Sequence, residues 1–322
     1  MKLRNLAPIV VAALAGCGGS QPPIGIPGAI HQTSAIAQHA ARSQSWMLPE
    51  AKGEDLLYVS DDGDDDVVVY SYPKGKLVGR LTHGISNPQG VCADKNGNVF
   101  VTNNSPTELI EYAHGEKTPI ATLPDGNNGF HIVSCSVDST TGNLAATNSF
   151  GVSYPYEGTI AVYLGAQGEP HYYSKRSISA FGYCAYDNRG RLLFSAENDN
   201  YQTMFGELTR DGILKSIKLK QSFGEAPIDW YRGLLEVGDR STTIFQFALR
   251  GRQTIPKGSI GIDGASRGYY QFTIFRGVII VADFYGGKIL FWPYPTGGSP
   301  TKTITQGLRE PFGVTVSLAP HR

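Results

Sequence analysis

Short apolar runs, each ending in a carboxylate or an amide, recur at near-even intervals along the chain. They are LLYVSD ending at Asp61, NVFVTN at Asn103, NLAATN at Asn148, LLFSAE at Glu197, LLEVGD at Asp239 and VIIVAD at Asp283. The intervals are 42, 45, 49, 42 and 44 residues, the size of a four-stranded propeller blade. In the fourth unit strict alignment places Ala196, one residue before Glu197, at the shared position. A second strand follows in each unit and carries Tyr70, Tyr112, Tyr163, Leu208, Phe247 or Trp292 near its end. The first and last units match at one constant offset, with Asp61 opposite Asp283, Tyr70 opposite Trp292, Tyr72-Pro73 opposite Tyr294-Pro295 and Gly75 opposite Gly297.

Ahead of several of these runs lies a further strand with an Asp-Gly-Asn type of turn, clearest in PQGVCADKNGNVFVTN at 88–103. It supplies the innermost strand of a blade. The first unit has none, and Pro311-Phe312-Gly313-Val314 repeats Pro88-Gln89-Gly90-Val91 and then stops. Phe312, Val314, Val316 and Leu318 alternate as a half-buried strand should. The pattern therefore predicts an all-β chain, a six-bladed β-propeller over residues 53–322 whose ring is closed by the C-terminal strand.

Ahead of the repeat the pattern changes. Lys2 and Arg4 precede an apolar run from Leu6 to Ala15, too short to span a bilayer as a mature helix. The run ends in Leu14-Ala15-Gly16-Cys17, which resembles the lipobox of bacterial lipoproteins. That resemblance implies a signal peptide over 1–16, lipidation at Cys17 and a lipid-anchored tether over 17–52. Because Gly18 follows the cysteine, it further implies the cell envelope, and the outer membrane where the organism has one. Gly18-Gly19-Ser20, Pro22-Pro23 and Pro27-Gly28 cannot bury enough apolar surface to fold alone. Trp46-Met47-Leu48 is apolar enough to dock on the propeller.

Composition adds exclusions. With 28 Lys+Arg against 28 Asp+Glu the net charge is zero, which argues against a nucleic-acid partner. Gly at 39, Pro at 19, Tyr at 17 and Phe at 14 suit many short strands and turns. A monomer is expected.

The repeat resembles NHL-repeat propellers and, more loosely, gluconolactonase-like propellers, over residues 53–318. The second resemblance would imply a divalent metal held by acid and amide ligands at the channel mouth. The blade starts here, Asn87-Pro88-Gln89-Gly90, Gly129-Phe130-His131 and Ala226-Pro227-Ile228-Asp229, depart from the Glu-Gly-Pro of those enzymes. The preferred reading is therefore a non-catalytic envelope protein that uses a propeller face to bind a carbohydrate, a peptide or an envelope protein, with a metal-dependent lactonase-like hydrolase as the alternative. Candidate ligand-binding residues are Tyr154 and Tyr156 on the longest loop, His131 at the start of the third blade, and the strand ends Asn103, Asn148, Asp239 and Asp283. Asp62, Asp64 and Asp66 have the alternating spacing of a calcium loop, but Val67 and Pro73 stand where an EF-hand needs Gly and Glu, so a solvated acidic loop competes with a Ca²⁺ site. Otherwise no cofactor is expected.

Two further features of the sequence resemble chemical motifs. Gly264-Ala265-Ser266-Arg267-Gly268 matches a nucleophile elbow, but a strand-like segment follows where a helix is needed, so it reads as an inter-blade loop. With Cys17 lipidated, Cys92, Cys135 and Cys184 leave an odd thiol. Cys135 and Cys184 occupy equivalent inner-strand places, and the expectation is two buried thiols rather than a bridge, because inner strands of neighbouring blades splay apart.

Overall fold

The computed structural model describes residues 44–320, apart from 127–130, 150–156, 220, 225 and 267. Its strands form six antiparallel sheets, the blades of one ring. Blade 2 is Pro88–Ala93, Val99–Asn104, Thr107–Tyr112 and Pro119–Pro124, and blade 3 is Ile132–Val137, Leu144–Asn148, Thr159–Tyr163 and His171–Tyr173. Blade 4 runs Ala180–Tyr186, Leu192–Glu197, Thr203–Leu208 and Leu214–Ile217. Blade 5 is Ile228–Tyr231, Leu234–Gly238, Thr243–Arg250 and Gln253–Gly261, and blade 6 is Phe272–Phe275, Val278–Asp283, Lys288–Pro293 and Lys302–Ile304. In each, the first strand faces the central channel.

Blade 1 joins both ends of the described chain. Its inner strand, Pro311–Ser317, pairs with Leu56–Asp61, which leads to Asp66–Ser71 and Leu77–Leu81. A fifth strand, Trp46–Met47, is added at the outer edge, Trp46 opposite Arg80 and Met47 opposite Gly79. The Ser45 hydroxyl accepts the amides of Thr82 and His83 at 2.9 and 3.1 Å. The segment that the sequence assigns to the end of the tether thus covers an edge that would otherwise offer unpaired backbone groups.

The apolar runs are continuous because the strands are buried on both faces. Six hydrophobic clusters fill the gaps between neighbouring blades; Tyr58, Val67 and Val69 of blade 1, for example, pack on Val91, Val101 and Tyr112 of blade 2. Near the axis the strands come closest, and a Cβ at Gly90 would lie 2.7 Å from the Ser134 Cα. That proximity overturns the cysteine expectation. Cys92 and Cys135, on the inner strands of blades 2 and 3, have Cα atoms 5.7 Å apart and are bonded, while Cys184 is the buried free thiol. Cys135 and Cys184 are equivalent as expected, each with its sulfur toward a carbonyl of the preceding blade, Phe100 and Ala145. The register explains the difference: Cys92 sits opposite Phe100, and the matching place opposite Ala145 holds Ser136, whose hydroxyl accepts the Tyr186 amide instead.

Candidate functional site

The 2–3 hairpins and the inter-blade loops share one face of the ring, where the repeated strand ends act as clasps. Asp61 accepts the amides of Arg309 and Glu310 at 2.6 and 2.9 Å. Asn103 accepts the Ser86 amide at 2.7 Å and donates to Gly84. Asn148 donates to Asp125 at 2.8 Å, and Asp283 accepts the Ser266 amide at 3.0 Å. In each case the partner lies in the loop arriving from the previous blade. The aromatic partners of the repeat finish the same clasp: Tyr70, Tyr112, Tyr163 and Trp292 donate to the carbonyls of Gln306, His83, Pro124 and Asp263. Blades 4 and 5 carry Leu208 and Phe247 at that place, side chains with no polar group to donate to such a carbonyl. Their hairpins close on themselves, Asn198 accepting the amides of Asn200 and Gln202, and Asp239 those of Ser241 and Thr243.

This geometry places most of the sequence candidates. Asn103, Asn148 and Asp283 are fully buried in these clasps. Asp239 is exposed but holds its own turn, and His131 is exposed at the start of blade 3, its carbonyl accepting the Ser149 amide. Tyr154, Tyr156 and Cys17 lie outside the described residues. The calcium-like spacing does not bring its carboxylates together. Asp66 and Asp64 turn to the buried guanidinium of Arg80, Asp66 in direct contact and Asp64 at 3.8 Å. Asp62 has its carboxyl pushed up by burial and by neighbouring Asp65, Glu310 and Asp61. Ser266 of the elbow-like motif sits in a loop with its amide on Asp283, not at a strand-to-helix turn.

The opposite face holds a cleft that the sequence reading passed over. In blades 2 to 4 the inner strand turns into the second through an Asp-led loop. Asp94 accepts the amides of Asn96 and Asn98, Asp138 that of Thr140, and Asp187 those of Arg189 and Arg191. Blade 5 replaces this loop with a two-residue turn, Arg232-Gly233, at φ 49° and 85°, the primed geometry that matches strand twist. The shorter turn leaves a step beside the longer loops of blades 3 and 4. The step is a cleft of about 500 Å³ lined by Val137, Ser139, Tyr186, Asn188, Trp230 and Arg232.

Trp230 and Tyr186 are half-buried and Arg232 is exposed. Among the described residues the Arg232 guanidinium meets no carboxylate; it packs over the Tyr231 ring at 5.2 Å. The Trp230 indole N–H likewise has no acceptor among them, whereas that of Trp292 is bound to Asp263. Asp187, the acid in the cleft, is taken by its turn and by Arg191 at 2.9 Å. Tyr186 also lines a second cleft of about 310 Å³, between blades 3 and 4, with Tyr173, Leu208 and Arg210. The available signal was the segment DWYRG at 229–233, which breaks the Asp-led turn of the preceding blades.

Comparison with family models and with curated proteins gave no match. Solved structures do match in fold. A protein of unknown function from Bacteroides caccae aligns with a TM-score of 0.60 and 13% identity, over 82% of this chain and 99% of that one. A chain of a nidogen/laminin complex aligns at 0.65 and 13%, over 83% and 99%. A functionally unknown protein from Desulfotomaculum acetoxidans aligns at 0.57 and 10%, over 82% and 99%. At these identities the likeness is one of fold.

Proposed function

We propose that this chain is an exported, lipid-anchored propeller of the NHL-repeat kind that binds a ligand without transforming it. The observation that carries this reading is the use made of the strand ends. A metal-dependent propeller enzyme needs acids and amides from several blades free at the channel mouth. Here Asp61, Asn103 and Asp283 give their hydrogen bonds to the loops, and Asn148 gives its amide N–H to Asp125, its Oδ1 being buried without a partner among the described residues. Open clefts lined by aromatic rings and polar groups are the surfaces left for recognition. The Cys92–Cys135 bond supports an extracytoplasmic location, where such bonds persist.

The lactonase alternative keeps one foothold. The Asp62 Oδ1 and Asn87 Oδ1 atoms are buried without a partner among the described residues, both next to Asp65. Assay of the purified chain for lactone hydrolysis, with and without a chelator, decides between the two. No metal-dependent turnover is expected, and turnover abolished by Asp62→Asn would overturn the binding reading. For the anchor, Cys17→Ser is expected to move the protein from the detergent phase to the aqueous phase on phase partitioning; a variant that stays with the detergent refutes it.

A further inference from the structure

Resting on the binding function proposed above, we infer that the cleft of blades 3 to 5 takes an acidic oligosaccharide, one whose sugar rings carry carboxylates. Three features of the cleft converge on that chemistry. It offers two aromatic side chains, Trp230 and Tyr186, half-buried so that part of each remains open to a ligand. The apolar face of a pyranose ring suits such surfaces. Two of its polar groups, the guanidinium of Arg232 and the indole N–H of Trp230, are donors only, and the Asn188 amide and the Ser139 hydroxyl beside them can each donate or accept. Its acid is already neutralised, since Asp187 is held by Arg191 and two turn amides. A ligand rich in hydroxyl and carboxylate oxygens satisfies this set, and a cationic one does not.

Charge places the carboxylate. Arg232 is held at the rim by its positive-φ turn and by the Tyr231 ring, so its planar fork is pre-oriented for a bidentate contact. A volume of about 500 Å³ accepts a few sugar units. Because Tyr186 also lines the neighbouring cleft, where Arg210 supplies another cation, a longer chain can continue from the channel mouth toward the rim between blades 3 and 4.

The test is calorimetric titration of the full chain in detergent with tetragalacturonate, with cellotetraose as the neutral counterpart. Saturable binding of the acidic sugar is expected, with cellotetraose at least about tenfold weaker, because a charge-assisted contact is lost. Arg232→Asn, a residue that tolerates the positive φ, is expected to weaken tetragalacturonate about tenfold or more, and Arg232→Lys less so. Trp230→Ala is expected to weaken both sugars, and a wild-type melting curve confirms that each variant is folded. Equal affinity of wild type and Arg232→Asn, or no binding of tetragalacturonate where a glutamate-rich peptide binds, overturns this inference and leaves the wider binding function standing. Metal-dependent turnover in the assay described above removes the function on which it rests.

Discussion

Glu236 stands in a column that the other five blades fill with Tyr58, Phe100, Ala145, Leu193 and Ile280, all buried. Its side chain is fully buried too. One oxygen accepts from Tyr294 at 2.7 Å and Gln246 at 3.2 Å, and the other has no partner among the described residues. Burial pushes the carboxyl from 4.5 up to about 7, against the lowering effect of those hydrogen bonds. Asp229, its cross-strand neighbour, is pushed up to about 6 by burial. A folded pKa above the unfolded one means that the fold favours the protonated acid. That stabilisation is complete below the unfolded value of 4.5 and is lost as pH rises through 7. A shift of this size is worth on the order of 3 kcal/mol. Wild type is therefore expected to melt several degrees lower at about pH 8 than at about pH 5, and Glu236→Gln to raise the higher-pH midpoint and narrow the gap. A gap left unchanged by the substitution would contradict this account. The break in the column is visible in LLEVGD, but its consequence was not, because a strand sequence does not say whether a blade interface supplies the acid with donors. The strand-end acids and amides were legible as a repeat for the opposite reason. Each clasps a loop at the same offset, so the spacing survives wherever the clasp is needed.

At the scale of elements the closing strand joins the two ends of the ring. Phe312 and Val314 are buried, and Ser317 is fully buried with its hydroxyl bonded to His114 at 2.7 Å. Each large apolar side chain contributes about 1.5–3 kcal/mol on burial, against a whole-domain margin of about 5–15 kcal/mol. Deletion of residues 311–322 also strips the partner from Leu56–Asp61 and turns Arg309 and Glu310, whose amides bind the Asp61 carboxylate, into a free chain end. The truncated chain is expected to be insoluble or to lose its cooperative thermal transition, and a melting curve like that of the full chain would refute closure by this strand. The strand was legible because Pro311-Phe312-Gly313-Val314 repeats the start of blade 2. The added strand Trp46–Met47 has no counterpart in the other blades, so no internal comparison could fix its pairing. The cleft escaped for a related reason: it is made by what blade 5 omits, a loop whose absence exposes walls that belong partly to the neighbouring blades.

Across the whole molecule the Cys92–Cys135 bond is the one covalent link between blades among the described residues, spanning 43 residues. Closing a loop of that length restricts the unfolded chain by about 4 kcal/mol in the chain-entropy view. Reduction is expected to lower the wild-type midpoint by several degrees and to leave that of Cys92→Ser/Cys135→Ser unchanged. The bond was illegible from the cysteine spacing, because equivalence within the repeat pointed to Cys135 and Cys184, while bridging needs the position one register step away. The joining of both chain ends in blade 1 has a temporal consequence. Blades 2 to 6 are each built from neighbouring hairpins and can form in succession as the chain emerges. The sheet begun by Leu56–Asp61 waits for a strand 249 residues further on, as the contact of Asp61 with Glu310 measures. Until that strand arrives an inner edge stays open, and long-range pairing of this kind is slow and exposed to aggregation. Ring closure is thus the last act of folding, and a chain of this design depends on completing it before that edge finds another partner.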